Sequence, residues 1–205
     1  MSKFLHRYYF VFLCMLAMAG SFALFGQDTK ASILRPPAGS KIALIVFEDL
    51  ECPQCSRTQP VVDEAKKDYK IPVIVYDFPL PQHDWSYQAA ILAHYFRSKS
   101  TKTNNLEAAF RDYIYQNQVA ITPGNLRSYA EKFAQQHKVA LPFAVDPEGK
   151  FAAEIKADRE KAMVVGINHT PTVYVVTNNP AQPFTEVGDT GTLFQTIDGV
   201  MAQLK

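Results

Sequence analysis

Apolar residues first form one long run from Tyr8 to Phe25, broken only by Gly20 and Ser21. Lys3, His6 and Arg7 precede it, and small residues suited to cleavage follow at Ala17-Met18-Ala19 and Ser21-Phe22-Ala23. A positive start, an apolar stretch and a small-residue end make a secretory signal over residues 1–23. The run also approaches the length of a membrane helix, so an uncleaved N-terminal anchor is the other reading. Residues 24–40, with Pro36, Pro37, Gly39 and Ser40, read as an irregular lead-in.

The period then changes several times. Lys41 to Phe47 (KIALIVF) is a short continuous apolar run, as in a strand buried on both faces. Glu48 to Glu51 is an acidic turn, after which Cys52 opens a helix with Val61, Val62, Ala65 and Tyr69 at helical spacing and Pro60 placed to kink it. Residues 71–78 (IPVIVYDF) form a second strand, and Pro72 limits it to an edge or to its own first residue. From Asp84 to about Gly166 the pattern is helical. Trp85, Ala89, Leu92 and Phe96 line one stripe; Leu106, Ala109, Phe110, Tyr113 and Ile114 line another. Asn104 and Glu107 make a capping pair, and Thr122-Pro123 and Asp146-Pro147 read as two further helix starts. TVYVVT after Pro171 and then FTEV are strands joined by an Asn178-Asn179-Pro180 turn. Leu193, Ile197, Val200 and Leu204 mark a last helix. The predicted domain therefore covers 41–205. It is an α/β unit of strand-helix-strand and strand-strand-helix halves, with a helical insertion over about 84–166.

Composition changes little in this picture. Hydrophobic residues make up 47% of the 205 and charged residues 20%, a globular balance. The net charge is +1, and removing residues 1–23 takes Lys3 and Arg7 and no acid, leaving −1. No basic face for nucleic acid is built from that. Cysteine changes more. Cys14 lies in the leading run, where Leu13 argues against lipidation, and the remainder keeps Cys52 and Cys55 as Cys-Pro-Gln-Cys. An exported chain lives where disulfides persist, yet a loop this tight is a poor staple, so an exchangeable disulfide is the better reading.

Cys52 sits at a helix N-terminus, where free N–H groups and the helix dipole favour an anion. A thiol of pKa ~8.5 falls to ~3.5–7.5 in such places, and the thiolate is the attacking species. Cys55, one turn on, is placed to resolve a mixed disulfide. A structural disulfide and half of a metal site are the other readings. Zinc needs about four ligands, and His169 alone does not complete the set, so no metal or other cofactor is expected.

The chain resembles the thioredoxin superfamily, in particular exported DsbA-like thiol:disulfide oxidoreductases, over residues 40–205. The segments that carry the likeness are FEDLECPQC (47–55), VGINHTPTVYV (165–175), the helical block between the two halves, and Pro60 eight residues after Cys52. The resemblance implies a thioredoxin fold with a large helical insertion. It implies a cis Thr170-Pro171 bond facing the cysteines, where the loop holds the backbone of an extended substrate. Pro53 and Gln54 modulate the pair, and neutral Gln54 replaces the histidine of strong oxidants. Asp49 matches a frequent family aspartate. One departure is Val46, which stands where the family usually buries an acid. Glu48, Asp49 or Glu51 could replace it through water; the other reading is three solvated turn carboxylates that disfavour a thiolate.

The expected function is oxidation of cysteines in secreted proteins, in the periplasm or another extracytoplasmic space, by a monomer. A quinone-linked membrane oxidase is the implied regenerating partner. A reductase or isomerase of the same fold is the nearest rival, although residues 24–40 are too short for the isomerases' dimerisation domain. A redox-inert peptide-binding or chaperone module is a third reading.

Overall fold

The computed structural model describes residues 29–204. The signal or anchor expected over 1–23, and Cys14 within it, lie outside the described residues. Among the described residues no helix is long and apolar enough to cross a membrane.

A four-stranded sheet organises the chain. β1 (Ile42–Glu48) pairs in parallel with β2 (Val73–Asp77) and antiparallel with β3 (Thr172–Thr177), which pairs antiparallel with β4 (Phe184–Val187). The order β2-β1-β3-β4 leaves β2 at an edge, and Pro72 falls just before its first residue, so both placements that the proline tolerates are met. β1 is buried along its whole length, in keeping with its unbroken apolar run. Its side chains alternate between two cores. Ile42, Leu44 and Val46 meet Val62 and Ala65 of α2 (Pro53–Tyr69) and Leu193, Ile197 and Val200 of α7 (Leu193–Ala202). Ala43, Ile45 and Phe47 meet the opposite layer, Ala162 and Val165 of α6 (Lys150–Val165) together with Ile33 and Leu34. α2 runs unbroken through Pro60.

The insertion contributes α3 (Ser86–Lys99), α4 (Leu106–Asn117), α5 (Leu126–Gln136) and α6. Phe96, Phe110 and Phe133 meet at its centre, with ring centroids 4.6, 4.8 and 5.1 Å apart. The same apolar cluster includes Leu50, Cys52 and Cys55, so the insertion's core continues beneath the cysteine turn.

Several local expectations are corrected. The lead-in is irregular over 34–40, but residues 30–33 form a short helix, α1 (Lys30–Ile33), capped by Thr29, and Ile33 and Leu34 are buried. Asn105, not Asn104, caps α4 by accepting from the Ala108 N–H, which frees Glu107 for an ion pair with Arg111. Thr122-Pro123 makes a turn ahead of α5, closed by Asn125 accepting from the Thr122 N–H. The helix starts three residues later. Asp146 does cap α6, but from a distance: its carboxylate accepts from the Phe151 and Ala152 N–H groups across a turn that ends in Gly149 at φ +68°. Proline-based start signals place each helix a turn too early because a short turn intervenes.

Phe133→Ala should destabilise the protein by ~3–5 kcal/mol, since Phe96 and Phe110 cannot close the void. Urea unfolding followed by far-UV circular dichroism measures it; a loss under ~1 kcal/mol would mean that the aromatic centre is not a rigid core.

Candidate active site

The turn between β1 and α2 positions both cysteines. The Cys52 N–H donates to the Asp49 carbonyl at 3.1 Å, and Cys52 is the N-cap of α2 with extended backbone (φ −73°, ψ 118°). Pro53 follows at the first helical position, where no N–H is needed. Cys52 is 6% exposed and Cys55 2%, and both are free thiols. The Cys55 thiol, directed at Cys52, does most to stabilise a Cys52 thiolate. Burial opposes it. The Thr170 hydroxyl and the N–H groups of Cys55 and Gln54 add to the first effect, and the balance brings Cys52 down to about 5. Cys55 moves the other way. Burial, the Cys52 sulfur's hold on its proton and the charge of Glu48 all push it upward. One sulfur is an anion at neutral pH and its neighbour a thiol.

The loop before β3 closes over this pair. Thr170-Pro171 is a cis peptide bond. The Cys52 sulfur lies 3.3 Å from the Thr170 carbonyl, to which it donates when protonated, so the loop and the cysteine turn touch. The Thr170 hydroxyl oxygen is buried and has no hydrogen-bond partner among the described residues. It is thus free to donate to a sulfur anion.

The three acids of the turn are not solvated, contrary to one of the two readings. Glu51 accepts from the Trp85 and Ser86 N–H groups at 2.7 and 3.0 Å and caps α3. Asp49 accepts from the Glu51 and Leu80 N–H groups and pairs with His83 Nδ1 at 2.7 Å. Its own N–H donates to the Cys55 sulfur at 3.4 Å. Neither carboxylate therefore acts as an unpaired charge against the thiolate. Glu48, the last residue of β1, is 2% exposed and bonded to Arg111 at 2.9 Å. Burial raises Glu48, Arg111 lowers it and Asp77 raises it again, leaving it at about 7. It lies two residues from Val46, on the same face of the strand. The Gln54 side chain offers nothing to Cys52, since its carbonyl accepts from Arg57 at 2.7 and 3.1 Å; only the Gln54 backbone N–H serves the sulfur.

Two functional candidates escape the sequence reading. Gln118 donates to the carbonyls of Leu50 and Cys52, at 2.8 and 3.1 Å, and fixes the cysteine turn from the insertion. Arg111 is the other. The only signal for either is spacing: Glu107, Arg111, Tyr115 and Gln118 recur at helical intervals through an otherwise apolar stripe. Among the described residues, Asp77, His94 and Asp158 are placed closely enough for a metal. Asp77 is, however, already held by Arg111 and His94.

A family model described as Thioredoxin matches residues 37–186. The chain belongs to the thioredoxin family. Solved structures share its fold at low identity. Wolbachia pipientis alpha-DsbA1 has a TM-score of 0.66 and 18% identity, over 86% of this chain and 100% of that one. The thiol-disulfide exchange protein alpha-DsbA2 from Wolbachia pipientis has 0.62 and 15%, over 81% and 85%. A periplasmic thioredoxin-like protein from Salmonella enterica serovar Typhimurium has 0.62 and 18%, over 88% and 95%. No curated protein matches in sequence. This thioredoxin-family chain thus has the DsbA-type fold, with the helical insertion between its halves.

Brief iodoacetamide treatment of the reduced protein should label Cys52 and spare Cys55, as read by peptide mass mapping. The labelling rate should rise through pH of about 5 and then level, because the thiolate fraction is complete above it. A midpoint near ~8.5 would mean an unperturbed thiol.

Proposed function

We propose that this protein is an exported thiol:disulfide oxidoreductase that oxidises cysteines of secreted proteins. The observation that carries the reading is the opposite displacement of two thiols one helical turn apart, Cys52 down and Cys55 up. An inert disulfide or a binding module has no use for that inequality. The Thr170 contact, the family and the thiol-disulfide exchange protein of the same fold support it. The leading apolar run and the periplasmic protein of the same fold support export.

In the oxidising direction a substrate thiolate attacks the Cys52 sulfur. The Cys52–Cys55 bond breaks, and Cys55 leaves with the electron pair and takes a proton. A second substrate thiolate then attacks the substrate sulfur, and Cys52 leaves as the stabilised thiolate. Substrate loses two electrons and the pair gains them. Thr170-Pro171 holds the substrate backbone beside Cys52, as an added strand is held. Glu48 supplies and takes back the proton of Cys55. Each turnover leaves the pair reduced, so a membrane oxidase regenerates it, and the protein works as a monomer.

A stabilised leaving thiolate is what makes such a pair oxidising. Cys52 lies above the ~3.5 of the strongest oxidant and below the ~7 of thioredoxin. Equilibration with glutathione buffers should give a potential between ~−120 and ~−230 mV, and Cys52→Ala should abolish exchange. A potential near ~−270 mV would make this a reductase instead.

A further inference from the structure

A buried cluster of charges connects the redox site to the insertion. Arg111 of α4 is 4% exposed, and its guanidinium meets three carboxylates. It grips Asp77 through both terminal nitrogens, at 3.0 and 2.7 Å, while one of them also reaches Glu48 at 2.9 Å and the other Glu107 at 3.1 Å. His94 Nε2 holds Asp77 from the other side at 2.8 Å. The two buried acids are thereby unequal. Asp77 has a bidentate cation and an imidazole, and stays ionised well below the carboxylate range. Glu48 has one N–H, suffers Asp77's charge and burial, and titrates at about 7. Its charge in turn bears on Cys55 and on the buried Tyr115 hydroxyl, which itself helps to lower Glu48.

We propose that Arg111 is a positioning residue of the redox site: anchored by Asp77, it reaches from the insertion to Glu48 and sets the pH at which that carboxyl exchanges a proton with Cys55. The proposal rests on the redox function above and names what controls it. Asp77 fixes the plane of the guanidinium, and the second N–H of one of the two nitrogens that grip it fixes the Glu48 carboxylate. When the pair closes on a mixed disulfide, Cys55 gives its proton to the Glu48 carboxylate, and its electron pair forms the bond to the Cys52 sulfur. The bond from Cys52 to the other sulfur breaks, and that sulfur leaves as a thiolate. The reverse reaction returns the proton. Glu48 ionises near neutral pH because Arg111, with a smaller contribution from the Tyr115 hydroxyl, offsets part of its burial. The insertion thus helps to set the proton inventory of a pair that lies outside it.

The test uses the full chain and two readouts. One is the carbon NMR titration of the Glu48 carboxyl; the other is the pH profile of closure of the Cys52–glutathione mixed disulfide. Both should inflect at about 7. Arg111→Met should move both upward by ~1–3 pH units, the usual effect of losing an adjacent opposite charge. Arg111→Lys, which keeps a charge without the fork, should move them less. Glu107→Gln, a half-buried change outside the pair, should move them downward, because it frees Arg111's charge for Glu48. In a Glu48→Gln background the closure inflection should vanish, and adding Arg111→Met should change nothing further. An unmoved Glu48 resonance in Glu107→Gln and Arg111→Lys overturns the proposal, even if Arg111→Met does not fold. So does an equal Arg111 effect with and without Glu48. If the wild type closes no mixed disulfide, the redox reading fails, while the Glu48 resonance still reports on Arg111.

Discussion

Two sulfurs one helical turn apart in a buried turn cannot both be anions, and the structure decides which one is. Like charges at that separation repel strongly where water is excluded. The helix N-terminus places two N–H groups at Cys52, and the Cys55 thiol completes the set by donating to it. Burial and the Glu48 charge keep Cys55 protonated. Each remaining feature of the site serves this choice. Pro53 starts the helix at the right residue, Asp49 and Glu51 spend their charges on backbone N–H groups, and the Thr170 loop closes over the sulfur that carries charge.

The same principle extends into the core. Glu48 of β1, Asp77 of β2, His94 of α3, Arg111 of α4 and Glu154 of α6 join in one hydrogen-bonded cluster. Such a cluster is weak evidence for stability, because desolvation offsets most of the attraction. What it does is join the insertion to the sheet: it ties α3, α4 and α6 to the ends of β1 and β2. Its pH response follows from two opposite displacements. Asp77 is depressed, so its contribution is present above the ordinary carboxylate range and is lost only in strong acid. His94 is raised by Asp77 against the opposing effect of burial, so its contribution is present below the ordinary histidine range and is lost as pH rises through the raised value. The cluster is therefore most secure on the acid side of neutrality.

Much of this was legible in the sequence. A continuous apolar run gave β1, and Pro72 limited β2 to an edge or to a start at the proline. The cysteine spacing after a strand marked the helix N-terminus, and the Thr170-Pro171 segment marked the loop that meets it. What stayed hidden was the partner of each charge. Glu48, Asp49 and Glu51 look alike as a run of turn acids, and only their long-range partners separate them: Arg111, then Leu80 and His83, then Trp85 and Ser86. Arg111 and Gln118 interrupt an amphipathic stripe without announcing a purpose, since periodicity reports a face and not its distant contacts. Val46 marked an acid missing from one place, while the strand's two-residue repeat returned one at Glu48 on the same face.

The central claim is that the folded chain stabilises the Cys52 thiolate. It is tested most directly by comparing denaturant midpoints of the oxidised and reduced protein at neutral pH. A thiol lowered to about 5 in the native state and near ~8.5 when unfolded makes folding favour the reduced form. The reduced protein should therefore unfold at the higher denaturant concentration, despite lacking the cross-link. An oxidised form that is the more stable of the two would contradict the account.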